Sequence, residues 1–482
     1  MPAALLPLLI LILLRLLFLD ARPIHHDEAV NGWFIDGIFQ RGYFIYDPAN
    51  YHGPWFFYWT ALSESIFGRN LIALRIPAVL FGALLTLVPF LYRRWIGLRA
   101  AFLGSFLLAI SPAVVFFSRY AIHESAFAFF SALFAAIWLL IREDGWSVRR
   151  AVGLGITLAA LAGLKENFVL LGAAILLAEG VMALVMGGLP EVLARRNWKF
   201  VGGVFLSAFV LVGWVFTAGG RDPAGVSKFF EAFFRWTETG AHGNGHEKPF
   251  YYWVAIMGRF EWPALLGLIL IPFRFAQASV SVRWTGMVGV FLLLIYSAIR
   301  YKTPWCILSF SWALVIFAAS TVIQWLESPS VSRLGRRIWV TALVIASGVS
   351  IVQIWDVAYG NPDQDGHPYV YGQTYSEMIP QVDAILENAR NLPGGASQAR
   401  VQVVSGVTWP LPYLLGELKK VGYYSETNAP TTLDADFIIL DESLVERFRP
   451  RFAGDYSKAC VRSRQWAPKI CFFGKDRLMH RR

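Results

Sequence analysis

Four ionisable residues, His25 to Glu28, follow directly after the first apolar run of the chain, 3–19. A carboxylate pair held at the mouth of a membrane span is costly, so it usually has a function. Two interpretations fit. Asp27 is the N-cap of a helix that begins there, with Glu28 favoured by the helix N-terminus. Alternatively, one carboxylate is a general base that this terminus keeps ionised.

Three further clusters combine charge with aromatic or turn residues at the ends of apolar runs. These clusters are Ser118–Glu124 (SRYAIHE), Lys165–Asn167 (KEN) and Arg300–Trp305 (RYKTPW). Lys165 suits a phosphate contact, because an ammonium is a point charge on a flexible stem. Arg300 and Lys302 are cations outside the loops in which most basic residues gather. We therefore expect them to bind an anionic partner. The alternatives are a local ion pair at Lys165, snorkelling by Arg119 and ordinary interface anchoring at 300–305.

The histidines leave a metal site open. His26, Asp27, His123 and Glu124 have side chains that bind divalent ions, although ligands from different helices give no diagnostic spacing. The segment His242-Gly243-Asn244-Gly245-His246 lies in the long loop 219–253. It is either a metal-binding segment, a mobile substrate loop or a plain flexible loop, and the last interpretation is favoured.

The elements that must position these residues are membrane helices. The chain is 56% hydrophobic and only 16% charged, against about 25% charged in a soluble domain. Apolar runs of about twenty residues predict a polytopic α-helical membrane protein with about eleven transmembrane helices. The span at 151–164 is short, which indicates a tilted or re-entrant segment. The predicted spans are 3–19, 71–91, 101–117, 124–141, 151–164, 167–187, 200–217, 254–272, 284–299, 303–325 and 338–355.

Basic residues occupy alternate loops, and the positive-inside rule places those loops in the cytoplasm. The loops contain Arg93, Arg94, Arg99; Arg142, Arg149, Arg150; Arg195, Arg196, Lys199; Arg274, Arg283; and Arg333, Arg336, Arg337. The opposite, external side then receives 20–70, 118–123, 165–166, 218–253, 300–302 and the tail after 356. Because this pattern accounts for the net charge of +10, nucleic-acid binding is not predicted.

The tail, 356–482, has the short β-branched runs and intervening helical patterns of a small soluble α/β domain. The polar segment Asn361–His367 (NPDQDGH) links it to the last span. We therefore divide the chain into a transmembrane domain, 1–355, with a first external loop at 20–70, and an extracytoplasmic domain, 356–482. Cys460 and Cys471 would pair if the tail is extracytoplasmic.

These motifs resemble the GT-C superfamily of membrane glycosyltransferases. The similarity is greatest to the branch of dolichyl-phosphate-mannose–protein mannosyltransferases, glycosyltransferase family 39, and to its flippase activity-associated group. The strings that carry the resemblance are His26-Asp27-Glu28-Ala29, Tyr51-His52-Gly53-Pro54, Ser118-Arg119-Tyr120, Lys165-Glu166 and Arg300-Tyr301-Lys302-Thr303-Pro304-Trp305.

The resemblance implies a polyprenyl-phosphate sugar as donor, Asp27 as the base on the acceptor and Glu124 as the second acidic residue. His123 beside Glu124 departs from the family pattern. We expect sugar transfer with inversion at the external face of the plasma membrane, to an acceptor protein or glycolipid. The expected partners also include membrane lipids and the lipid carrier. The alternative is a flippase-associated protein that handles the lipid carrier without chemistry.

The residues then take the following expected roles. Asp27 is a base that also caps its helix, and Glu28 orients it. The donor phosphate is expected to contact Lys165, Arg300, Lys302 and Arg119. The substrate pocket is expected to include Glu124, His123, His52, Tyr51 and Trp305. A divalent metal ion is a further candidate cofactor, with His26, Asp27, His123 and Glu124 as its candidate ligands.

Overall fold

The computed structural model describes residues 2–188, 197–242 and 245–475. Arg195, Arg196, Gly243 and Asn244, which the loop predictions included, lie outside these ranges. The structure divides into two compact units. The first unit comprises Met1–Leu19 and Gly37–Gly360, and the second comprises Asp20–Asp36 and Asn361–Arg482. The N-terminal segment around Asp27 is therefore grouped with the C-terminal tail.

Helices dominate residues 2–360, most of which belong to the first unit, as the apolar runs predict. In chain order the helices are α1 (Pro2–Leu13), α2 (His26–Arg41), α3 (Trp55–Phe67), α4 (Leu71–Leu91), α5 (Arg93–Ile96), α6 (Leu98–Ala109), α7 (Pro112–Ser118), α8 (Glu124–Asp144), α9 (Val148–Ala162), α10 (Phe168–Met186), α11 (Trp198–Phe216), α12 (Gly225–His242), α13 (Tyr252–Phe260), α14 (Trp262–Arg274), α15 (Val280–Ala298), α16 (Leu308–Glu327) and α17 (Arg333–Trp355).

The prediction of a multi-pass helical membrane protein is confirmed, but the number of eleven spans is not. Within the described ranges, seven helices are long and apolar enough to cross a bilayer, or up to nine if each of two bent pairs is one span. The other two predicted spans, 3–19 and 151–164, fall on α1 and α9, which have 12 and 15 residues. At about 1.5 Å per residue, each is shorter than a hydrocarbon core of about 30 Å.

The two bent pairs are linked through a single carboxylate. Helices α6 and α7 meet at 62°, and α13 and α14 meet at 115°. Glu261, at the second break, accepts hydrogen bonds from the Ser111 hydroxyl at 2.5 Å and from the Ala113 N–H at 2.6 Å. These donors lie at the start of α7, whose first N–H groups lack intrahelical partners. Glu261 therefore stabilises both breaks.

The second unit contains the α/β domain that the tail pattern predicts. Its sheet has the order β2-β1-β3-β5-β4. The strands are β1 (Arg400–Val404), β2 (Lys420–Tyr424), β3 (Phe437–Asp441), β4 (Tyr456–Arg462) and β5 (Lys469–Lys475), and the helices are α18 (Met378–Arg390), α19 (Leu411–Leu414) and α20 (Val445–Phe448). Strands β1, β2 and β3 are parallel, whereas β5 pairs antiparallel with both β3 and β4.

The central strand β3 is buried at every position. One face of the sheet packs Phe437 and Ile439 with α18, and the other packs Ile438 and Leu440 with Phe448 of α20. Because both faces of β3 are packed, its sequence is a continuous apolar run and does not alternate between apolar and polar residues. Cys460 and Cys471 face each other across β4 and β5 and are joined in a disulfide.

Candidate active site

The residues His25 and Glu28 cap the N-terminus of α2 reciprocally. The Asp27 N–H donates to His25 Nδ1 at 2.9 Å, and the His25 N–H donates to the Glu28 carboxylate at 3.0 Å. This is the arrangement of a capping box, with histidine in the position that serine or threonine usually takes. The prediction that Asp27 caps its helix is therefore wrong. Helix α2 begins at His26, so Asp27 is its second residue and the capping position falls on His25.

Hydrogen bonds to both ring nitrogens fix the state of His25. Nδ1 accepts from Asp27, so Nε2 carries the proton and donates to the Tyr371 carbonyl at 2.8 Å. Burial lowers the pKa of His25 to about 4, despite the nearby Asp27 carboxylate. His25 is thus neutral at physiological pH. Together with Gln373, whose Nε2 donates to the Pro23 carbonyl at 2.9 Å, it fixes this segment within the second unit.

The carboxylate of Asp27 remains outside the cap. Its side chain is 38% exposed, and Oδ1 lies 4.0 Å from His26 Nε2. Glu28, by contrast, is fully buried and lies 3.6 Å from Arg22. The two adjacent carboxylates therefore differ in environment: Glu28 holds the helix start, and Asp27 is accessible at the N-terminus of the helix, where the dipole favours an anion.

Arg464 is a neighbour of Asp27 that the sequence analysis missed. Burial lowers the pKa of Arg464 and the Asp27 carboxylate raises it. Burial, and then the Arg464 charge, lower the pKa of His26 to about 4. Arg464 lies more than 400 residues along the chain from Asp27. No local pattern reports such a pairing.

A second cluster, in the first unit, contains the predicted residues around Lys165. Lys165 Nζ lies 2.5 Å from Glu124 Oε1, with both side chains buried. Burial is the largest influence and disfavours the charged amine, but Glu124, Cys306 and Tyr296 together raise the pKa of Lys165, so this amine keeps its charge. The local ion pair proposed between Lys165 and the adjacent Glu166 is thus replaced by one with Glu124.

Glu166 and two histidines adjoin this ion pair. Glu166 Oε2 lies 3.6 Å from His52 Nδ1, and the His52 and His123 rings are 4.8 Å apart. Burial raises the pKa of Glu166 to about 8, so it carries a proton at neutral pH. Burial, then the charges of His52 and Lys165, lower the pKa of His123. The structure therefore brings His52, His123, Glu124 and Lys165 together around one ion pair.

Close backbone approach explains the Tyr-His-Gly-Pro-Trp string. The Gly53 N–H donates to the Leu164 carbonyl at 3.0 Å, and the Trp55 N–H donates to the Gly163 carbonyl at 3.1 Å. A Cβ at Gly53 would lie 2.3 Å from the Gly163 oxygen. Only glycine permits this crossing. Tyr51 precedes it at φ 41°, and its carbonyl accepts the Tyr46 hydroxyl at 2.9 Å.

Arg119 binds backbone carbonyls of the segment that follows α1. Its guanidinium donates to the carbonyls of Arg15, Leu17 and Phe18 at 2.7, 2.6 and 2.8 Å, and it lies 4.4 Å from the centre of the Tyr359 ring. Backbone carbonyls that have no partner in a helix or strand need another hydrogen-bond donor. These contacts are evidence for a role in positioning the chain that leads towards Asp27.

The Arg300–Trp305 string pairs with the loop after α12. Glu247 and Tyr301 form an isolated antiparallel bridge, and the His246 and Tyr301 rings are 4.8 Å apart. Lys302 Nζ donates to the carbonyls of Lys248 and Ile299. Arg300 is exposed. The ring of Trp305 lies beside those of Tyr120 and Phe117, at 6.0 and 6.2 Å.

The four candidate metal ligands are divided between the units: His26 and Asp27 in the second, His123 and Glu124 in the first. Among the described residues, the one group of three potential ligands with mutually close donor atoms is Glu442 with Cys460 and Cys471. Because the two sulfurs are bonded to each other, this group is not a metal centre. The metal site stays a prediction.

The part of the chain that carries several of these motifs is similar to a known protein family. Residues 51–216 match the family model described as dolichyl-phosphate-mannose-protein mannosyltransferase. This match confirms the expected resemblance to the protein mannosyltransferase branch, and it covers the Tyr-His-Gly-Pro, Ser-Arg-Tyr and Lys-Glu strings.

Among curated proteins, the chain is similar to the undecaprenyl phosphate-alpha-4-amino-4-deoxy-L-arabinose arabinosyl transferase of Pseudomonas paraeruginosa. The two are 26% identical over 285 residues, which is 55% of this chain and 49% of the relative. The chain thus spans about half the length of the curated relatives that it matches.

Two solved structures share the fold. ArnT from Cupriavidus metallidurans, bound to undecaprenyl phosphate, aligns with a TM-score of 0.68 and 14% identity over 98% of this chain and 97% of that one. The oligosaccharyltransferase AglB from Archaeoglobus fulgidus, in complex with an inhibitory peptide and a dolichol-phosphate, aligns with a TM-score of 0.58 and 14% identity. That alignment covers 92% of this chain and 69% of AglB.

Proposed function

We propose that this protein transfers a sugar from a polyprenyl-phosphate-linked donor to an acceptor at the external face of the membrane, with Asp27 as the general base. The observation that carries the proposal is that the side chains at the start of α2 have different roles. His25 and Glu28 make the cap, which leaves the Asp27 carboxylate 38% exposed and available to a substrate. The names of the similar proteins, which include an undecaprenyl-phosphate sugar transferase and complexes with lipid phosphates, support the donor class.

The proposed reaction needs one carboxylate. Asp27 accepts the proton of an acceptor hydroxyl, and the resulting oxygen attacks the anomeric carbon of the donor. The bond from that carbon to the phosphate oxygen breaks, and the phosphate leaves with the electron pair. A cation-like sugar forms in the transition state, as it does in glycoside hydrolysis, and single displacement inverts the anomeric centre.

The leaving phosphate needs cations, and the four proposed ones differ in their present partners. Arg300 is exposed, which makes it the strongest candidate for a direct contact. Lys302 and Lys165 are engaged by carbonyls and by Glu124, so each would exchange these partners for phosphate. Arg119 is held by three carbonyls, which favours a positioning role.

The role of Asp27 is tested by Asp27→Asn in membrane vesicles supplied with a polyprenyl-phosphate sugar. An amide cannot accept the proton, so we expect transfer to fall by at least about a hundredfold. Asp434→Asn is the matched control, because Asp434 is exposed in an ion pair with Arg400 in the tail domain. Wild-type transfer by Asp27→Asn would refute the base and would favour the alternative, lipid-carrier handling without chemistry.

A further inference from the structure

The aromatic and polar groups around Asp27 within the second unit have no assigned role. Trp409 lies beside His26 and Trp33, with ring centres 6.2 and 6.4 Å apart. Trp33 is 50% exposed, and Trp409 is half-buried. Together with Asp27 and Arg464, these two tryptophans form what we term the Trp409 cluster. It contains a carboxylate, a guanidinium and aromatic rings.

The position of Trp409 follows from the sheet topology. The connection after β1 runs to β2 on one side, and the connection after β3 runs to β4 on the other, so the carboxyl ends of β1 and β3 form the switch point of the parallel part. Ligands of open α/β sheets bind at such switch points. The loop that carries Trp409 begins here, at Ser405.

Hydrogen bonds fix this loop at its base. The Ser405 hydroxyl donates to Asp441 Oδ1 at 2.5 Å, and the Gly406 N–H donates to Asp441 Oδ2 at 3.0 Å. Farther along, Tyr413 packs so closely on α2 that a Cβ at Gly32 would lie 2.3 Å from its ring. Trp409 is therefore positioned by the fold instead of lying on a free loop.

The backbone at Arg464 is held by the segment 373–374. Its backbone forms an antiparallel bridge with Thr374, and the next residue, Gln465, donates its N–H to the Gln373 carbonyl at 3.0 Å. The Arg464 Nε is buried and, among the described residues, makes no hydrogen bond. Because Arg464 as a whole is half-buried, its guanidinium keeps unused hydrogen-bonding capacity beside Asp27.

These groups match the chemistry of a sugar ring. A carboxylate only accepts hydrogen bonds and a guanidinium only donates them, whereas each hydroxyl of a vicinal diol does both. A diol therefore satisfies Asp27 and Arg464 together. Aromatic rings supply the flat apolar surface on which the C–H face of a pyranose packs. A serine or threonine side chain has one hydroxyl and no such face.

We propose that the Trp409 cluster is the acceptor subsite and that the acceptor is a carbohydrate, packed on Trp409 and hydrogen-bonded by Arg464. The proposal rests on the proposed function for the role of Asp27. It assigns the C-terminal domain a part in substrate selection, with Trp409 and Arg464 as its specificity-determining residues.

Saturation-transfer NMR on the full-length protein in nanodiscs tests this subsite. The probes are methyl α-D-mannopyranoside, methyl α-D-glucopyranoside and a short serine- and threonine-containing peptide. We expect a glycoside to bind the wild type, and Trp409→Ala and Arg464→Gln each to raise its Kd about tenfold.

Conservative and control variants accompany these substitutions. Trp409→Phe and Arg464→Lys are expected to retain part of the binding, which keeps the test valid if a harsher variant fails to fold. Arg462→Gln removes an exposed cation of the same domain, paired with Glu377, and is expected to leave the glycoside Kd unchanged.

Two results would overturn the proposal. One is glycoside binding that neither Trp409→Ala nor Arg464→Gln weakens. The other is preferential binding of the peptide. Because glycoside binding does not require proton transfer to Asp27, this outcome is independent of the Asp27→Asn transfer assay, and the two proposals can fail separately.

Discussion

Lys165 and Glu124 show how one residue pair can serve structure and chemistry together. Their ion pair is buried, with 2.5 Å between Lys165 Nζ and Glu124 Oε1. Desolvation of two charges offsets much of their attraction, so such a pair contributes little net stability. Loss of one partner is far more costly, because the other charge stays buried without compensation. This ion pair contributes little net stability and lies in two of the motifs that carry the family resemblance, so it is a candidate for function.

We expect Lys165→Met to lower the free energy of unfolding by about 3–5 kcal/mol, because it leaves Glu124 unpaired. The double variant Lys165→Met/Glu124→Leu should recover most of this loss. Thermal unfolding in detergent measures the stability, and the vesicle assay measures transfer. If the pair takes part in sugar transfer, the double variant should be stable but inactive. Full activity in the stable double variant would show that the pair is only structural.

Helix α2 shows how a single-residue shift at a helix start changes the roles of side chains. The sequence pattern predicts a helix from this region, but helix ends are uncertain by one or two residues. With the start at His26, His25 becomes the cap and Asp27 is released. The pattern therefore predicted the helix and the importance of its first residues, whereas the cap depended on hydrogen bonds that no periodicity reports.

The cap makes the stability of α2 depend on pH. The imidazole of His25 takes up a proton near pH 6.5 in the unfolded chain but only near pH 4 in the folded one. Between these values the unfolded state binds more protons, so stability falls as the pH falls. We expect protonation of His25 to lower the free energy of unfolding by about 3 kcal/mol between pH 7 and pH 4.

His25→Asn tests this dependence. Asparagine is a favourable N-cap residue and does not titrate, so it should keep the cap and flatten the pH dependence of thermal unfolding. His26, whose pKa burial also lowers to about 4, would still contribute in the same direction. An unchanged pH dependence in His25→Asn would contradict the account of the cap.

At the scale of the whole molecule, the sequence predicted the class of structure but not the long-range pairings. Apolar runs gave the helices, and β-branched runs gave the strands of the tail, because both depend on local periodicity. The bends at 110–111 and 261 escaped prediction, since Glu261 stabilises them through a hydrogen bond to a residue 150 positions away. Arg464 and Trp409 were missed for the same reason.

The orientation of the chain stays a prediction from the arginine-bearing loops. In a Cys306→Ala background, Ser397→Cys in the tail and Ser330→Cys between α16 and α17 introduce exposed thiols. Cys460 and Cys471 are bonded to each other and should not react. We expect a membrane-impermeant maleimide to label Ser397→Cys in intact cells and Ser330→Cys only after permeabilisation. The reverse pattern would place the tail in the cytoplasm.

The central claim is that Asp27 drives sugar release from a polyprenyl phosphate. Mass spectrometry of the lipid that co-purifies with the wild type and with Asp27→Asn tests it most directly. We predict polyprenyl phosphate, the spent carrier, on the wild type and the same lipid with one sugar still attached on Asp27→Asn. Two results would contradict the account. In one, neither the wild type nor the variant carries a polyprenyl-phosphate lipid. In the other, both carry this lipid with the same sugar content.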